Sequence, residues 1–131
     1  MKYLVAIALL FSSLVVAAQD ISFQLCNAKS KKWVGANIYT RTAAENTTTL
    51  TFNMNHTVVE GDRRYNSTKP PVKWWLATGE YMKDNNIIIQ IGEHSYYAEF
   101  SRTNNGKDFL TLIRVPEQEG EEKVIKTYVA E

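Results

Sequence analysis

The sequence predicts an all-β fold, an antiparallel up-and-down (meander) barrel of about eight strands. After residue 18, no stretch of useful length carries apolar residues at the spacing of a helical face. Short alternating or continuous apolar runs recur instead. Asn, Gly, Asp and Lys separate these runs roughly every eight to twelve residues, a spacing that is typical of antiparallel sandwiches and barrels.

The N-terminus, residues 1–18, predicts a signal peptide that is cleaved. Lys2 precedes an unbroken apolar run, and small residues follow up to Ala18. We expect cleavage after Ala18, with cleavage after Gln19 as the alternative. The apolar stretch is short for a membrane anchor, and no basic flank follows it. The sequence therefore predicts a secreted or periplasmic protein without a membrane span, in which residues 19–131 form one domain.

The mature chain is expected to be electrically neutral. Cleavage removes one lysine and leaves 14 basic and 14 acidic residues. Because a neutral chain has no electrostatic attraction for nucleic acid or for anionic membranes, we expect neither as a partner. The single cysteine, Cys26, cannot form an intramolecular disulfide, so the domain must be stable through its core alone.

The first half of the domain contains four predicted strands. They span residues 32–40, 48–52, 57–60 and 72–77. The fourth places Trp74 on one face and Trp75 on the other, as the two-residue period of a strand requires. A turn at residues 53–56 joins the second and third strands, and a long polar segment, residues 61–69, precedes the fourth.

The second half contains four more predicted strands. They span residues 86–92, 95–102, 109–115 and 122–129. The first two form a hairpin in which Gly92 relieves the geometry of the turn. The Asn105-Gly106 pair is suited to the left-handed backbone of the next turn. Pro116 ends the seventh strand.

Each predicted strand has one apolar face, and a closed sheet is the arrangement that buries all of these faces together. Burial of apolar surface contributes about 25 cal/mol per Å², and an isolated hairpin cannot bury its own face. The interior of an eight-stranded barrel is either filled by side chains or holds one small ligand. Large rings on short strands favour a mostly filled interior. In the alternative, five inward aromatic residues line a ligand pocket: Trp33, Phe52, Trp74, Tyr96 and Phe100.

The order of the apolar motifs resembles that of a known group of domains. Trp33 is followed by the runs 49–58, 73–76, 87–89, 96–100 and 110–112. In this order the motifs resemble the small lipocalin-like domains exported by bacteria, notably Bacteroidota. The resemblance covers roughly residues 30–129 and implies a lipocalin-like barrel. It implies the fold more firmly than an activity, because members of this group mostly lack an established ligand.

No catalytic constellation is present in the sequence pattern. The two histidines, His56 and His94, both fall at predicted turns, away from any recognisable nucleophile. Nucleophile-elbow, zinc-protease and phosphate-loop motifs are absent. The carboxylates that we considered for acid–base chemistry show no distinctive spacing: Glu60, Asp62, Glu80 and Glu99. We therefore expect a protein that is not an enzyme.

A metal site is not expected either, although soft ligands occur. Met54 and His56 lie two residues apart in one predicted turn, and Cys26, Met82 and His94 lie elsewhere in the chain. Two histidines without a repeated spacing do not form a metal-binding pattern. We expect no cofactor.

Two binding functions remain. The first is non-enzymatic binding of a small apolar ligand in the barrel interior. The alternative is an interaction or inhibitor protein that contacts a protein partner through its two longest irregular segments, residues 41–48 and 61–71. These segments carry the residues that would make such contacts: Arg41, Arg63, Arg64 and Tyr65.

Overall fold

The computed structural model describes residues 21–44, 48–77 and 87–131. The predicted signal peptide, residues 1–18, lies outside the described residues. The strands in the described ranges are β1 (Ser30–Gly35), β2 (Thr48–Asn53), β3 (Thr57–Asp62), β4 (Ser67–Thr68), β5 (Val72–Leu76), β6 (Ile87–Ile91), β7 (His94–Arg102), β8 (Asp108–Arg114) and β9 (Ile125–Ala130).

The strands form one antiparallel sheet that closes on itself. Neighbouring strands pair from β5 through β9, and β9 pairs with β1. β1 pairs with β2, β2 with β3, and β3 with β5, which completes a ring of eight strands. β4 lies outside this ring and pairs with β3 alone. The predicted all-β, eight-stranded antiparallel barrel is confirmed, and closure removes the free edges that an open sheet would present.

The ring is unevenly paired around its circumference. β8 pairs with β7 along its whole length. β3 and β5 pair at two positions only, Thr57 with Lys73 and Val58 with Val72. The two-residue β4 lies beside the other end of β3. The seam between β3 and β5 is therefore the shortest in the barrel.

β1 and β4 differ from the prediction in an informative way. The first strand ends at Gly35, whereas the sequence pattern extended it to residue 40. The Asn37 side-chain oxygen accepts hydrogen bonds from the backbone N–H groups of Tyr39 and Thr40. Such an Asx turn competes with strand pairing, so Ile38 lies in a turn and is half exposed. The short β4 was predicted as loop because its two residues carry no apolar signal.

The inner face of the barrel is filled by a single apolar cluster. Its buried members are Leu25, Cys26, Trp33, Leu50, Phe52, Val58, Trp74, Ile89, Tyr96, Ala98, Leu110, Leu112 and Tyr128. The exposed fractions of Trp33 and Phe52 are zero, and that of Trp74 is 1 %. The Trp33 and Phe52 rings therefore border no gap wide enough for a water molecule.

A short helix, residues 21–26, covers one end of the barrel. Its Leu25 and Cys26 are fully buried in the apolar cluster. The indole Nε1 of Trp33 donates a hydrogen bond of 2.9 Å to the carbonyl oxygen of Leu25. We call this helix the plug helix and the end that it covers the helix end. The opposite end, where β8 ends and β9 begins, is the far end.

Part of the barrel wall is also buried on its outer face. Phe109, Val129, Val34 and Thr49 occupy adjacent register positions across four strands, and each is less than 10 % exposed. The guanidinium of Arg41, in the segment after β1, lies 4.4 Å from the centroid of the Phe109 ring. This part of the wall thus has apolar contacts on both sides, which explains why Phe109 breaks the simple alternation of β8.

Candidate functional site

The structure places the five predicted ligand-binding residues on the inner face of the barrel. Trp33, Phe52, Trp74 and Tyr96 belong to the buried apolar cluster, and Phe100 packs against it half-buried. Phe52 and Trp74 touch edge to face, with their ring centroids 5.8 Å apart. The four cluster members are core residues, so a ligand could contact them only if they moved. Phe100 borders open space.

The space beside Phe100 is a cleft between the plug helix and the rim of the barrel, with a volume of about 370 Å³. We call it the helix-end cleft. It is lined by Phe23, Gln24, Asn27, Lys31, Phe100, Ser101, Arg102 and Asp108. Three of these residues come from the helical segment and the turn after it, one from β1, and four from β7 and β8. The volume lies in the range that small-molecule sites occupy.

Two phenyl rings form the apolar part of the cleft. Phe23 lies on the plug helix and is 56 % exposed, although a ring of this size is usually buried. Phe100 lies on β7, where its backbone pairs with Leu110 of the core. Phe100 is thus held by the barrel, whereas Phe23 presents more than half of its surface to solvent. Together they offer an apolar surface that the protein itself does not cover.

A charged cluster forms the polar part of the cleft. Lys31 Nζ lies 2.6 Å from Asp108 Oδ2 and donates a hydrogen bond of 3.1 Å to the carbonyl oxygen of Gln24. The same ammonium lies 4.5 Å from the centroid of the Trp33 ring. Arg102 Nε lies 3.5 Å from Asp108 Oδ1, and its side chain is mostly exposed. One carboxylate is therefore shared by a buried cation and an exposed one.

The sequence pattern did not identify this site. Lys31 and Asp108 are 77 positions apart, and only closure of the barrel brings them together. The described helical residues, 21–26, contain too few positions to show a helical stripe of useful length, so they were not predicted as helix. One signal was present: Ile21 and Leu25 are four positions apart, lie on one helical face, and are both buried.

The two histidines lie apart from the helix-end cleft and from each other. His56 is in the β2–β3 turn, where its ring centroid lies 4.9 Å from that of Trp74. His94 begins β7. Neither ring contacts a serine, threonine or cysteine side chain in the hydrogen bonds of the described residues. The geometry of the helix-end cleft supports binding and provides no activated nucleophile.

The structure brings together two of the soft ligands named in the sequence. Cys26 Sγ donates a hydrogen bond of 2.9 Å to the carbonyl oxygen of Ser22 and lies 3.1 Å from Met54 Sδ. Burial raises the pKa of the Cys26 thiol to about 11, and the nearby Lys31 opposes this shift. Metal binding requires loss of the thiol proton, and burial makes that loss more costly at this position. Met82 lies outside the described residues.

The residues of the two irregular segments have different environments. Arg41 is half-buried because its guanidinium lies over Phe109 and contacts the Ser101 hydroxyl. Arg64 lies over the ring of Tyr65, with its Cζ 4.6 Å from the ring centroid, at an exposed tip. Arg41 therefore stabilises the outer wall of the barrel, whereas Arg64 and Tyr65 present a free surface.

The chain matches no protein-family model, and it has no significant match among curated proteins or among solved structures. No helix in residues 21–44, 48–77 or 87–131 combines the length and the apolar character that a membrane crossing requires. In the same ranges, no three side chains of His, Cys, Asp or Glu are positioned to share a metal ion.

Proposed function

We propose that this protein is an exported, lipocalin-like, non-enzymatic binding domain that holds one small, largely apolar ligand in the helix-end cleft. The observation that carries the proposal is the pair of phenyl rings, Phe23 and Phe100, on either side of a cleft of about 370 Å³. The barrel around the cleft is rigidly packed, so the binding surface is formed before a ligand arrives.

The packing of the barrel argues for a ligand at its end. The sequence pattern allowed either a filled interior or an internal pocket. With Trp33 and Phe52 fully buried, a ligand deeper in the barrel would have to displace core side chains. Opening such a space costs several kcal/mol per large side chain. The helix-end cleft requires no such displacement, since its space is already present.

The charged cluster suggests how a ligand is oriented. Lys31 is engaged by Asp108, by the Gln24 carbonyl oxygen and by the Trp33 ring. Arg102 contacts Asp108 through Nε, and the described residues offer its two terminal nitrogens no hydrogen-bond partner. These nitrogens are donors for one polar group on an otherwise apolar ligand, which is the usual composition of a small-molecule site.

Fluorescence titration with the neutral apolar dye N-phenyl-1-naphthylamine tests the proposal. The dye fluoresces more strongly in an apolar site, and it carries no charge that would bind elsewhere on the protein. We expect saturable binding that Phe23→Ala weakens about fivefold to tenfold, because truncation removes roughly half or more of the apolar contact of one ring. Phe100→Ala should weaken binding by a similar factor.

Tyr65→Ala is the matched control, since it truncates another exposed aromatic residue, 68 % exposed, on a separate loop. It should leave dye binding unchanged. Equal dye affinity in the parent protein and in Phe23→Ala, or the absence of saturable binding, would overturn the proposal. Competition by unlabelled fatty alcohols and isoprenoids of increasing length would then define the ligand.

A second candidate function is supported by the exposed tip at residues 63–65. Arginine and tyrosine dominate the energetics of protein interfaces, and the stacked Arg64–Tyr65 pair is exposed. An interaction or inhibitor protein would lose a specific partner from an extract of its native organism when Arg63 and Arg64 are both replaced by Ala. Lys107→Ala, on another turn, is the control. Retention of the same partner by the double variant would exclude this surface.

A further inference from the structure

Two basic side chains lie close together on the inner face at the far end of the barrel. Arg114 ends β8 and shares the inner face with Leu110 and Leu112. Lys126 lies on β9 directly opposite Leu112. The two positions are therefore diagonal neighbours on adjacent strands, a separation of roughly 7 Å in a sheet.

The Lys126 ammonium also lies beside an aromatic ring. It is 5.7 Å from the centroid of the Tyr96 ring, and Tyr96 is the register partner of Arg114. Two cationic residues thus occupy one part of the inner face.

No ion pair within the described ranges includes Lys126 or Arg114. The Arg114 guanidinium donates a hydrogen bond of 2.9 Å to His94 Nδ1. Glu117 lies 3.3 Å from that same nitrogen. The buried Nε of Arg114 has no hydrogen-bond partner among the described residues.

Glu60 is a carboxylate of this region that is already engaged. Glu60 Oε2 lies 3.2 Å from Lys69 Nζ. Glu60 also borders a cavity of about 240 Å³ at the far end, together with Lys126 and Tyr128. Burial raises the pKa of the Tyr128 hydroxyl well above its usual value, and Glu60 and Tyr96 add to the shift. The hydroxyl therefore stays protonated and is available as a hydrogen-bond donor.

We propose that the far end of the barrel is a second binding site, specific for a small organic carboxylate, whose charge is held by Lys126 and Arg114. The carboxylate balances the positive charge of these two residues. It accepts charge-assisted hydrogen bonds from them, which are about twice as strong as neutral ones. The Tyr128 hydroxyl supplies a further donor at the edge of the cavity. This site lies at the opposite end of the barrel from the helix-end cleft and does not depend on it.

A matched pair of probe molecules tests the charge requirement. Benzoate and benzamide have nearly the same shape, but benzoate alone carries a negative charge. We expect benzoate to shift the backbone amide resonances of Lys126, Thr127 and Tyr128 in ¹H–¹⁵N NMR titrations, and benzamide to shift them at least tenfold more weakly. Added NaCl should weaken benzoate binding, since salt screens an exposed charge.

Two variants assign the interaction to the named side chains. Lys126 is exposed, so Lys126→Gln should fold normally and bind benzoate about tenfold more weakly. Lys107→Gln, which makes the same change of charge at the helix end, should leave the affinity unchanged. Arg114→Lys keeps the charge but removes the forked donor, and it should also weaken binding while the amide spectrum stays dispersed.

Three results would overturn the proposal. They are equal shifts with benzoate and benzamide, an equal loss of affinity in Lys107→Gln and Lys126→Gln, and amide shifts confined to the helix end. The last result would assign carboxylate binding to Arg102 in the helix-end cleft. Dye binding by Lys126→Gln should be unaffected, so failure of this proposal leaves the helix-end proposal standing.

Discussion

The indole Nε1 of Trp33 donates a 2.9 Å hydrogen bond to the carbonyl oxygen of Leu25, and both residues are fully buried. This bond joins the plug helix to the first strand of the barrel. Because the Leu25 carbonyl lies in the last turn of the plug helix, no further helical turn follows to satisfy it. The indole supplies the missing donor.

Replacing Trp33 by Phe should destabilise the protein by about 2–3 kcal/mol. The change leaves a buried carbonyl without a donor and removes part of a ring from a filled core. Urea denaturation followed by far-UV circular dichroism measures this cost. Trp75→Phe is the control: Trp75 lies on the outer face and is 43 % exposed, so we expect a change within about 0.5 kcal/mol. Equal losses in the two variants would contradict the role of the bond.

The ion cluster of the helix-end cleft predicts unequal contributions from its two cations. Lys31→Met should cost about 1–2 kcal/mol, between the values typical of exposed and buried pairs, because its side chain is 10 % exposed and has three partners. Arg102→Met should cost less than about 0.5 kcal/mol, since Arg102 is largely exposed. Chemical denaturation of the two single variants tests this order, and a larger loss in Arg102→Met would refute it.

Position 61 requires glycine because the neighbouring strand β2 leaves no space for a Cβ atom there. A Cβ atom at this position would lie 2.7 Å from Thr49 Oγ1 and 3.3 Å from the carbonyl oxygen of Ser67. Gly61→Ala should therefore cost about 1–3 kcal/mol. The double variant Gly61→Ala with Thr49→Ala removes the closer atom and should recover part of this loss. A double-mutant cycle measures the coupling, and strict additivity would show that the contact with Thr49 does not limit the site.

Cys26 should be unreactive in the folded protein. Burial raises the pKa of its thiol from 9.0 to about 11, so the reactive thiolate is scarce at pH 8. Alkylation by iodoacetamide at pH 8 should be much slower in the native protein than in urea.

The folded Cys26 thiol holds its proton more tightly than the unfolded one. It therefore contributes stability that is complete below about pH 9 and is lost as the pH rises towards 11. Stability that increases over this interval would contradict the assignment.

The barrel was predictable because its strands carry their periodicity locally. The Ile87–Ile91 run and the Tyr96–Phe100 run each show a two-residue alternation, and Gly92 punctuates the hairpin between them, with a φ of 59°. The end of β1 was not predictable from the same pattern. A side-chain hydrogen bond from Asn37, which periodicity does not report, ends the apolar run before Ile38.

The candidate sites were harder to predict because their residues meet only after closure. Alternation correctly placed Trp33 and Tyr96 on the inner face, but it could not show that the Trp33 ring is fully buried. Residues such as Phe23 and Arg102 come from distant parts of the chain and meet at one rim. Sequence spacing carries information about neighbours within a strand, and it carries none about which strand ends converge.

The short pairing of β3 with β5, two residues long, determines where the barrel wall unfolds first. A closed sheet with one short strand pairing opens first at that pairing, while the other strand pairs keep their hydrogen bonds. In D₂O, the amide protons of Val58 and of Trp74, which donates to the His56 carbonyl oxygen across this seam, should exchange well before those of β7 and β8, because sub-global opening exposes the weakest pairing first. Under a pulling force, the same seam would be the point of rupture.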